Sequence, residues 1–385
     1  MNVGTHDNAA RSIEVINSIA SLEKSQMPAI ADAATARLIS LATAVPPHDL
    51  LQDDVADRAA VLFGSTDGGF HRLAPVYRNA EIARRHSCVP LDWFMAHHSF
   101  AERNALFLEH ATRLLTEAAS DALARCGLRP QDIDTLVTVC SSGIATPALD
   151  ARVMANLAFR PDVQRMPIFG LGCAGGVLGL ARAAAMAKAA PASNVLLLVV
   201  ELCSLTFRRQ DRSKSNIVAT ALFGDGAAAA VITCRPAAAD GPRTPSVGPC
   251  GEHTWPDSLD VMGWEVADDG LKVLFSRDIP TLVREDFRPV VDGFLTHNAL
   301  TLADMDEFVC HPGGAKVIDA LEACFDLQPG ALKHARDVLR AHGNMSSVTV
   351  LFVLQASMDD HPGGRRLLTT LGPGFTAGML ILDAA

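Results

Sequence analysis

The amino-acid sequence predicts an α/β protein made of two copies of one strand-and-helix unit, with largely parallel sheets covered by helices on both faces. Three observations predict it. Strand-length apolar runs alternate with stretches of helical periodicity. A short segment recurs: Leu128, Asp132, Ile133, Asp134, Leu136 and Val137 fit L-x-x-x-D-[I/M]-D-x-[L/F]-V, and so do Leu300, Asp304, Met305, Asp306, Phe308 and Val309. Both copies follow a helical stretch and lead into a strand. The chain's 385 residues leave room for two to three domains or one large duplicated unit.

The elements follow in order. Residues 1–36 are Ala-rich and loosely patterned, with an amphipathic stretch Ser12 to Leu22 that Pro28 closes; they are expected to form a peripheral arm. From Arg37, RLISLATAVPP predicts a strand and a turn. Glu102 to Cys126 has helical periodicity and stops at Gly127. LRPQDIDTLVTVCSSG then predicts a turn into a buried strand, followed by a Gly/Ala-rich helix from Ala174 to Ala189 and strands over Asn194 to Glu201 and Ala227 to Thr233. The Pro-, Gly- and Ala-rich stretch Arg235 to Gly251 divides an N-terminal half, 37–240, from a C-terminal half, 241–385.

Composition narrows the function. Hydrophobic residues at 49% and charged residues at 20% exclude disordered and fibrous classes. A net charge of −10 without a basic stripe argues against nucleic acid. The longest apolar run, VLLLVV from Val195, is far too short for a membrane span. MNVGTHDNAARSIEV lacks the basic-then-apolar order of a secretory signal, so a cytoplasmic protein is expected. The nine cysteines form no CxxC pair and read as free thiols, mostly small buried hydrophobes.

One thiol stands apart. In FGLGCAGGVLGLA, Gly170, Gly172, Gly175 and Gly176 crowd around Cys173 between a strand end and a helix start. The positive end of a helix dipole favours thiolate over thiol, so Cys173 is either a reactive nucleophile or a small residue packed among glycines. A phosphate-loop alternative lacks the Lys-Ser/Thr ending. In FVCHPGGAKVI, His311 follows a strand and precedes a Pro-Gly-Gly turn, a position that faces a cleft or serves as a hydrogen-bonded structural residue. In RAHGNMSSVTVLFVL, Asn344 follows Gly343 as a turn, a cap or a catalyst. No metal is expected, because the 13 histidines form no local ligand pattern.

These motifs together resemble the type III polyketide synthases, relatives of chalcone synthase within the thiolase-like fold. The resemblance runs from about Arg37 to the C-terminus. GCAGG resembles the nucleophile turn, CHPGG the histidine turn and GNMSS the asparagine turn. ALFGDGAAA resembles the gating segment, and LGPGFT the terminal glycine-rich loop, with Thr370 and Leu371 replacing that loop's first two residues. The resemblance implies duplicated halves in a five-layer α-β-α-β-α arrangement, with Cys173 as nucleophile, His311 and Asn344 as its partners, and Phe223 as gate. It further implies cavity positions at Thr206, Cys203, Val273, Trp264, Ser141 and Ser346, and CoA-phosphate contacts from Arg78, Arg84 and Arg85.

The activity implied is decarboxylative condensation of an acyl-CoA starter with malonyl-CoA, with no cofactor beyond these CoA thioesters. A homodimer is implied through SSGIATP, where Thr146 replaces a methionine. Val273 in place of a phenylalanine and Trp264 in place of a glycine suit a fatty chain, and the Gly-Trp pair followed by GLKV is similar to bacterial members that make alkylresorcinols or alkylpyrones. An initiating β-ketoacyl synthase, a chalcone-like or naphthalene-forming enzyme and a catalytically silent acyl-binding protein are the alternatives.

Overall fold

The computed structural model describes residues 34–64, 69–236 and 244–384. The expected N-terminal arm with its Ser12 to Leu22 helix, apart from its last residues, and the expected junction at 240/241 lie outside the described residues.

The strands are β1 (Arg37–Ala44), β2 (His48–Leu51), β3 (Arg84–Ser87), β4 (Thr135–Cys140), β5 (Gln164–Phe169), β6 (Asn194–Leu202), β7 (Asp225–Thr233), β8 (Ser246–Thr254), β9 (Met262–Ala267), β10 (Gly270–Phe275), β11 (Glu307–Cys310), β12 (Gly364–Gly372) and β13 (Thr376–Ala384). Nine of them run in the order β11-β12-β13-β8-β1-β7-β6-β4-β5, while β2 pairs with β3 and β9 with β10. Within the nine-stranded sheet the two halves are joined at a short pairing: Arg37 of β1 opposes Ser246 of β8, and the Val247 N–H donates to Ala36 O at 2.7 Å.

The recurring segment is a structural repeat. In each copy a 3₁₀ turn, Pro130–Asp132 or Leu302–Asp304, is closed by an aspartate accepting a backbone N–H three residues back, Arg129 to Asp132 at 2.9 Å and Thr301 to Asp304 at 2.7 Å. The next aspartate accepts from the start of the neighbouring parallel strand, Asn194 N–H to Asp134 at 2.8 Å and Arg365 N–H to Asp306 at 2.7 Å. Equivalent residues therefore begin the equivalent pairs β4–β6 and β11–β12.

Parallel pairing is confined to β4–β5, β4–β6 and β11–β12; the other joints of this sheet are antiparallel. The sequence reading of largely parallel sheets thus describes the flanks, and the middle is antiparallel, so the sheet as a whole is mixed. Full burial masks strand direction in the sequence, since β6 and β7 are covered on both faces and read as unbroken apolar runs. Alternate residues reach two cores: Leu196, Leu198 and Val200 meet the Phe100–Cys126 helix, whereas Val195, Leu197 and Val199 meet the Gly175–Ala189 helix.

The Gly175–Ala189 and Thr349–Asp360 helices form the middle layer, each touching strands of both halves. Their close approach depends on glycine: a Cβ on Gly176 would stand 2.2 Å from Ser347 O. The Phe100–Cys126 helix covers the N-terminal strands, capped by Ser99, whose hydroxyl accepts from the Glu102 N–H at 3.2 Å, and ended by Gly127 at φ 70°. On the far side, Phe294 of the Arg288–His297 helix lies against Gly251 and Phe325 stacks on Phe308 at 5.4 Å. The five layers are thereby complete. Both middle helices point their N-terminal turns at one place, the cavity that holds Cys173 and Ser346.

Candidate active site

Cys173 sits on a 3₁₀ turn, Gly172–Ala174, directly before the Gly175–Ala189 helix. Gly170 and Gly172 take φ of 93° and 46°, and a Cβ on Gly172 would meet Pro373 at 2.6 Å, so glycine is required there. The turn is pinned from both sides. Gly172 N–H donates to Ser141 Oγ at 2.9 Å, and Thr370 Oγ1 donates to the Cys173 carbonyl at 2.6 Å.

The thiol contacts Ser346 Oγ at 3.6 Å. Ser346 holds φ 49°, a left-handed conformation costly for a residue with a side chain and typical of positions that the surrounding structure over-determines. Burial pushes the Cys173 thiol up to about 12, the Ser346 hydroxyl opposes this, and the Glu201 carboxylate adds to it. The depression expected from the helix N-terminus is thus outweighed by loss of hydration.

His311 follows β11, its N–H donating to Thr369 O at 2.9 Å. Its ring is buried, neither ring nitrogen has a hydrogen-bond partner among the described residues, and burial lowers its pKa to about 4. Asn344 donates from Nδ2 to Gly313 O at 3.2 Å and accepts at Oδ1 from the Ser346 N–H at 2.8 Å. One amide hydrogen remains uncommitted. Cys173, His311 and Asn344 open onto one cavity of about 440 Å³, with Phe223, Trp264, Val273 and Ser346 also in its wall.

Cys203 and Thr206 lie elsewhere. They line a second apolar cavity of about 80 Å³, and Phe223 and Val273 line both cavities and so stand between them. Ser141, expected in the cavity wall, instead lies beneath the Cys173 turn, with its N–H donating to Glu201 at 3.0 Å, and is absent from the wall of either cavity.

None of the three arginines expected at CoA phosphates lines the cavity of Cys173. Arg85 is buried, and its guanidinium donates to the carbonyls of Thr220, Phe223 and Ala221 at 2.7, 3.1 and 3.0 Å, closing the end of the Lys214–Leu222 helix. Arg84 pairs with Asp49 at 3.2 Å, and Arg78 is exposed outside the cavity wall. The exposed cations that do line the cavity are Arg72, Lys214, Arg277 and Lys316. Isolated basic residues on separate elements leave no local pattern to read.

Sequence reasoning also missed Glu201 at the end of β6. Fully buried, it accepts from Ser142 Oγ at 2.6 Å, Ser347 Oγ at 2.8 Å and the Ser141 N–H, and burial raises its pKa to about 7. A carboxylate inside an otherwise apolar strand was the available signal.

Comparison with known proteins agrees with this geometry. Residues 77–236 match the N-terminal domain, and 250–384 the C-terminal domain, of the chalcone and stilbene synthases. A 1,3,6,8-tetrahydroxynaphthalene synthase of Streptomyces peucetius subsp. caesius is 37% identical over 88% of this chain and 91% of its own. An alpha-pyrone synthesis polyketide synthase-like protein of Mycobacterium tuberculosis (strain ATCC 25618 / H37Rv) is 29% identical over 93% of each. The crystal structure of the tetrahydroxynaphthalene synthase of Streptomyces coelicolor A3(2), a bacterial type III polyketide synthase, superposes with a TM-score of 0.84 at 26% identity, covering 90% of this chain and 99% of that one. A cysteine, a histidine and an asparagine converging on one cavity in this duplicated fold, together with these likenesses, show that the chain belongs to the chalcone and stilbene synthase family, the type III polyketide synthases, acyltransferases that condense a starter with malonyl-CoA.

Proposed function

We propose that this enzyme extends a fatty acyl-CoA starter with several malonyl-CoA units and closes the product to an alkylresorcinol or alkylpyrone. The observation that carries the reading is the shared cavity of Cys173, His311 and Asn344. The smaller apolar cavity behind Phe223 and Val273 supports a flexible chain rather than a rigid aromatic starter.

The chemistry follows from the geometry. Cys173 Sγ attacks the thioester carbon of the starter, its proton passes to the His311 imidazole, and the CoA thiolate leaves and takes that proton. When malonyl-CoA replaces CoA, its carbon–carboxylate bond breaks, carbon dioxide leaves and the electron pair delocalises onto the thioester oxygen. His311 and Asn344 donate to that oxygen. Burial keeps the imidazole neutral at pH 7, which lets it donate a hydrogen bond without protonating the enolate. The enolate carbon then attacks the acyl group on Cys173 and releases the sulfur for reloading.

In this reading Arg72, Lys214, Arg277 and Lys316 meet CoA phosphates, a role supported by their exposed side chains at the cavity wall. No further cofactor enters the reaction. In this reading the protein is a cytoplasmic homodimer; among the described residues no helix is long and apolar enough to cross a membrane. An interface at β5 is supported by that strand's place at the sheet edge and by Phe169 and Ile144, 58% and 45% exposed.

The test is incubation with malonyl-CoA and a panel of starters, followed by mass analysis. Alkylresorcinols or alkylpyrones from dodecanoyl-CoA are expected. A single extension would indicate an initiating ketoacyl synthase, a product from malonyl-CoA alone a naphthalene-forming enzyme, and no decarboxylation at all a silent acyl-binding protein.

A further inference from the structure

A second cluster of chemistry-bearing side chains lies apart from the cavity, where the start of β11, the Lys333–His342 helix and the end of the Thr349–Asp360 helix converge. Glu307, His334 and His361 each offer one ligand atom, and these atoms lie within 4.8 Å of one another. Asp360 lies beside the two histidines. His334 Nε2 is 3.3 Å from Glu307 Oε1 and 3.5 Å from Asp360 Oδ2, and His361 Nδ1 is 3.5 Å from the same Asp360 oxygen.

These separations are informative. Charge-assisted N–H···O bonds run at about 2.7–2.9 Å, so the imidazoles and carboxylates face each other at more than hydrogen-bonding length. Two ligands on a tetrahedral ion at about 2.0–2.1 Å are separated by about 3.3–3.4 Å, close to the 3.3 Å between His334 Nε2 and Glu307 Oε1. The ligands are also oriented from behind. Ser357 Oγ donates to Glu307 Oε2 at 2.6 Å, leaving Oε1 to face His334. Arg366 donates to Ser357 Oγ at 2.8 Å and to the His361 carbonyl, which fixes the backbone that carries His361. Its guanidinium, 3.3 Å from Glu307 Oε2, offsets part of the negative charge without occupying the facing oxygen.

We propose that Glu307, His334 and His361, with Asp360 beside the two histidines, bind one divalent ion of the zinc class, a preference set by two imidazoles and a carboxylate. The sequence reading, which expected no metal, sought ligands close together in the chain, whereas these come from three elements. The ion would fasten together the strand that leads into His311, the helix that leads into Asn344 and the helix that follows the Ser346 turn. It takes no part in the reaction.

The test uses tag-free enzyme stripped with chelator and dialysed against zinc chloride, with bound metal counted by mass spectrometry and cobalt(II) as a spectroscopic probe. One ion per chain, a tetrahedral cobalt spectrum without a thiolate charge-transfer band, and a zinc-dependent rise in Tm are expected. His334→Asn and the exposed His361→Ala should each weaken binding by at least tenfold and abolish the rise in Tm, with circular dichroism unchanged. Absence of binding at tens of micromolar zinc, a thiolate band from the cysteines, or undiminished binding in both variants would overturn the proposal.

Discussion

Phe223 and Asn344 are locked to one another through the main chain. The Asn344 N–H donates to Leu222 O at 2.8 Å and the Gly224 N–H donates to Asn344 O at 3.0 Å, so the proposed gate and the proposed oxyanion donor share one backbone bridge. The amide of Asn344 is further held by Gly313 and Ser346. Such a preorganised donor stabilises developing charge without reorganising at the moment of reaction. Asn344→Ala should therefore slow malonyl-CoA decarboxylation by about a hundredfold or more while Cys173 still loads starter. Radiolabelled carbon dioxide release and intact-protein mass measure the two steps separately, and an unchanged decarboxylation rate would reduce Asn344 to a turn residue.

Arg85 supports this bridge from beneath through Thr220, Ala221 and Phe223. Replacing it with Ala takes a donor from the Thr220 and Phe223 carbonyls and leaves Ala221 O with Gln52 Nε2, at about 1–3 kcal/mol for each carbonyl left unpaired and dry. Arg85→Ala should lower Tm and kcat and leave KM for malonyl-CoA within about twofold, as expected of a positioning residue. Lys316→Ala and Arg72→Ala should instead raise KM several-fold in a salt-dependent manner with Tm unchanged. Steady-state kinetics at two ionic strengths distinguish the two classes, and a rise in KM confined to Arg85→Ala would restore it as a phosphate ligand.

Cys173 has burial and Glu201 raising its thiol, so its reactivity depends on a proton acceptor in the same cavity. His311→Ala should move the pH dependence of Cys173 alkylation by iodoacetamide upward by about one unit or more, equivalent to about 1.4 kcal/mol. Peptide mapping across a pH series provides the measurement. Superimposable profiles would show that His311 acts only on the enolate.

Glu201 titrates in the fold at about 7, raised from 4.5 by burial. The native state then holds a proton that the unfolded chain has released, so this group's contribution to stability is fully present below pH 4.5 and is lost as pH rises through 7. Glu201→Gln should flatten the fall in Tm between about pH 5 and 8. Thermal melts of both proteins across that window would contradict the assignment if their slopes were parallel.

Trp264 and Val273 stand opposite each other across the β9–β10 ribbon, both in the cavity wall, and Trp264 lies 6.2 Å from the Phe223 ring. Trp264→Gly should open the wall and raise kcat/KM for coumaroyl-CoA relative to dodecanoyl-CoA by about tenfold, the scale of a few buried carbons. Competition between the two starters followed by product analysis measures it, and an unchanged ratio would place the selection elsewhere.

The repeated strand-and-helix unit and the glycine-bearing turns were legible in the sequence alone. Both are written in local signals: the paired Asp132–Asp134 and Asp304–Asp306 segments, and the glycines that only a turn with positive φ requires, as at Gly170 and Gly172. It also held Cys173, His311 and Asn344, each beside its own glycine turn. Tertiary structure decided which residues meet. Burial is a property of the folded whole, so only the fold shows Cys173 and His311 pushed toward their neutral forms and Glu201 titrating near 7. The surroundings of each basic residue were set in the same way. Arg85 was drawn inward to three carbonyls, whereas Arg72, Lys214, Arg277 and Lys316 were gathered around one cavity from distant segments, because long-range packing, not local spacing, sets the surroundings of a charge.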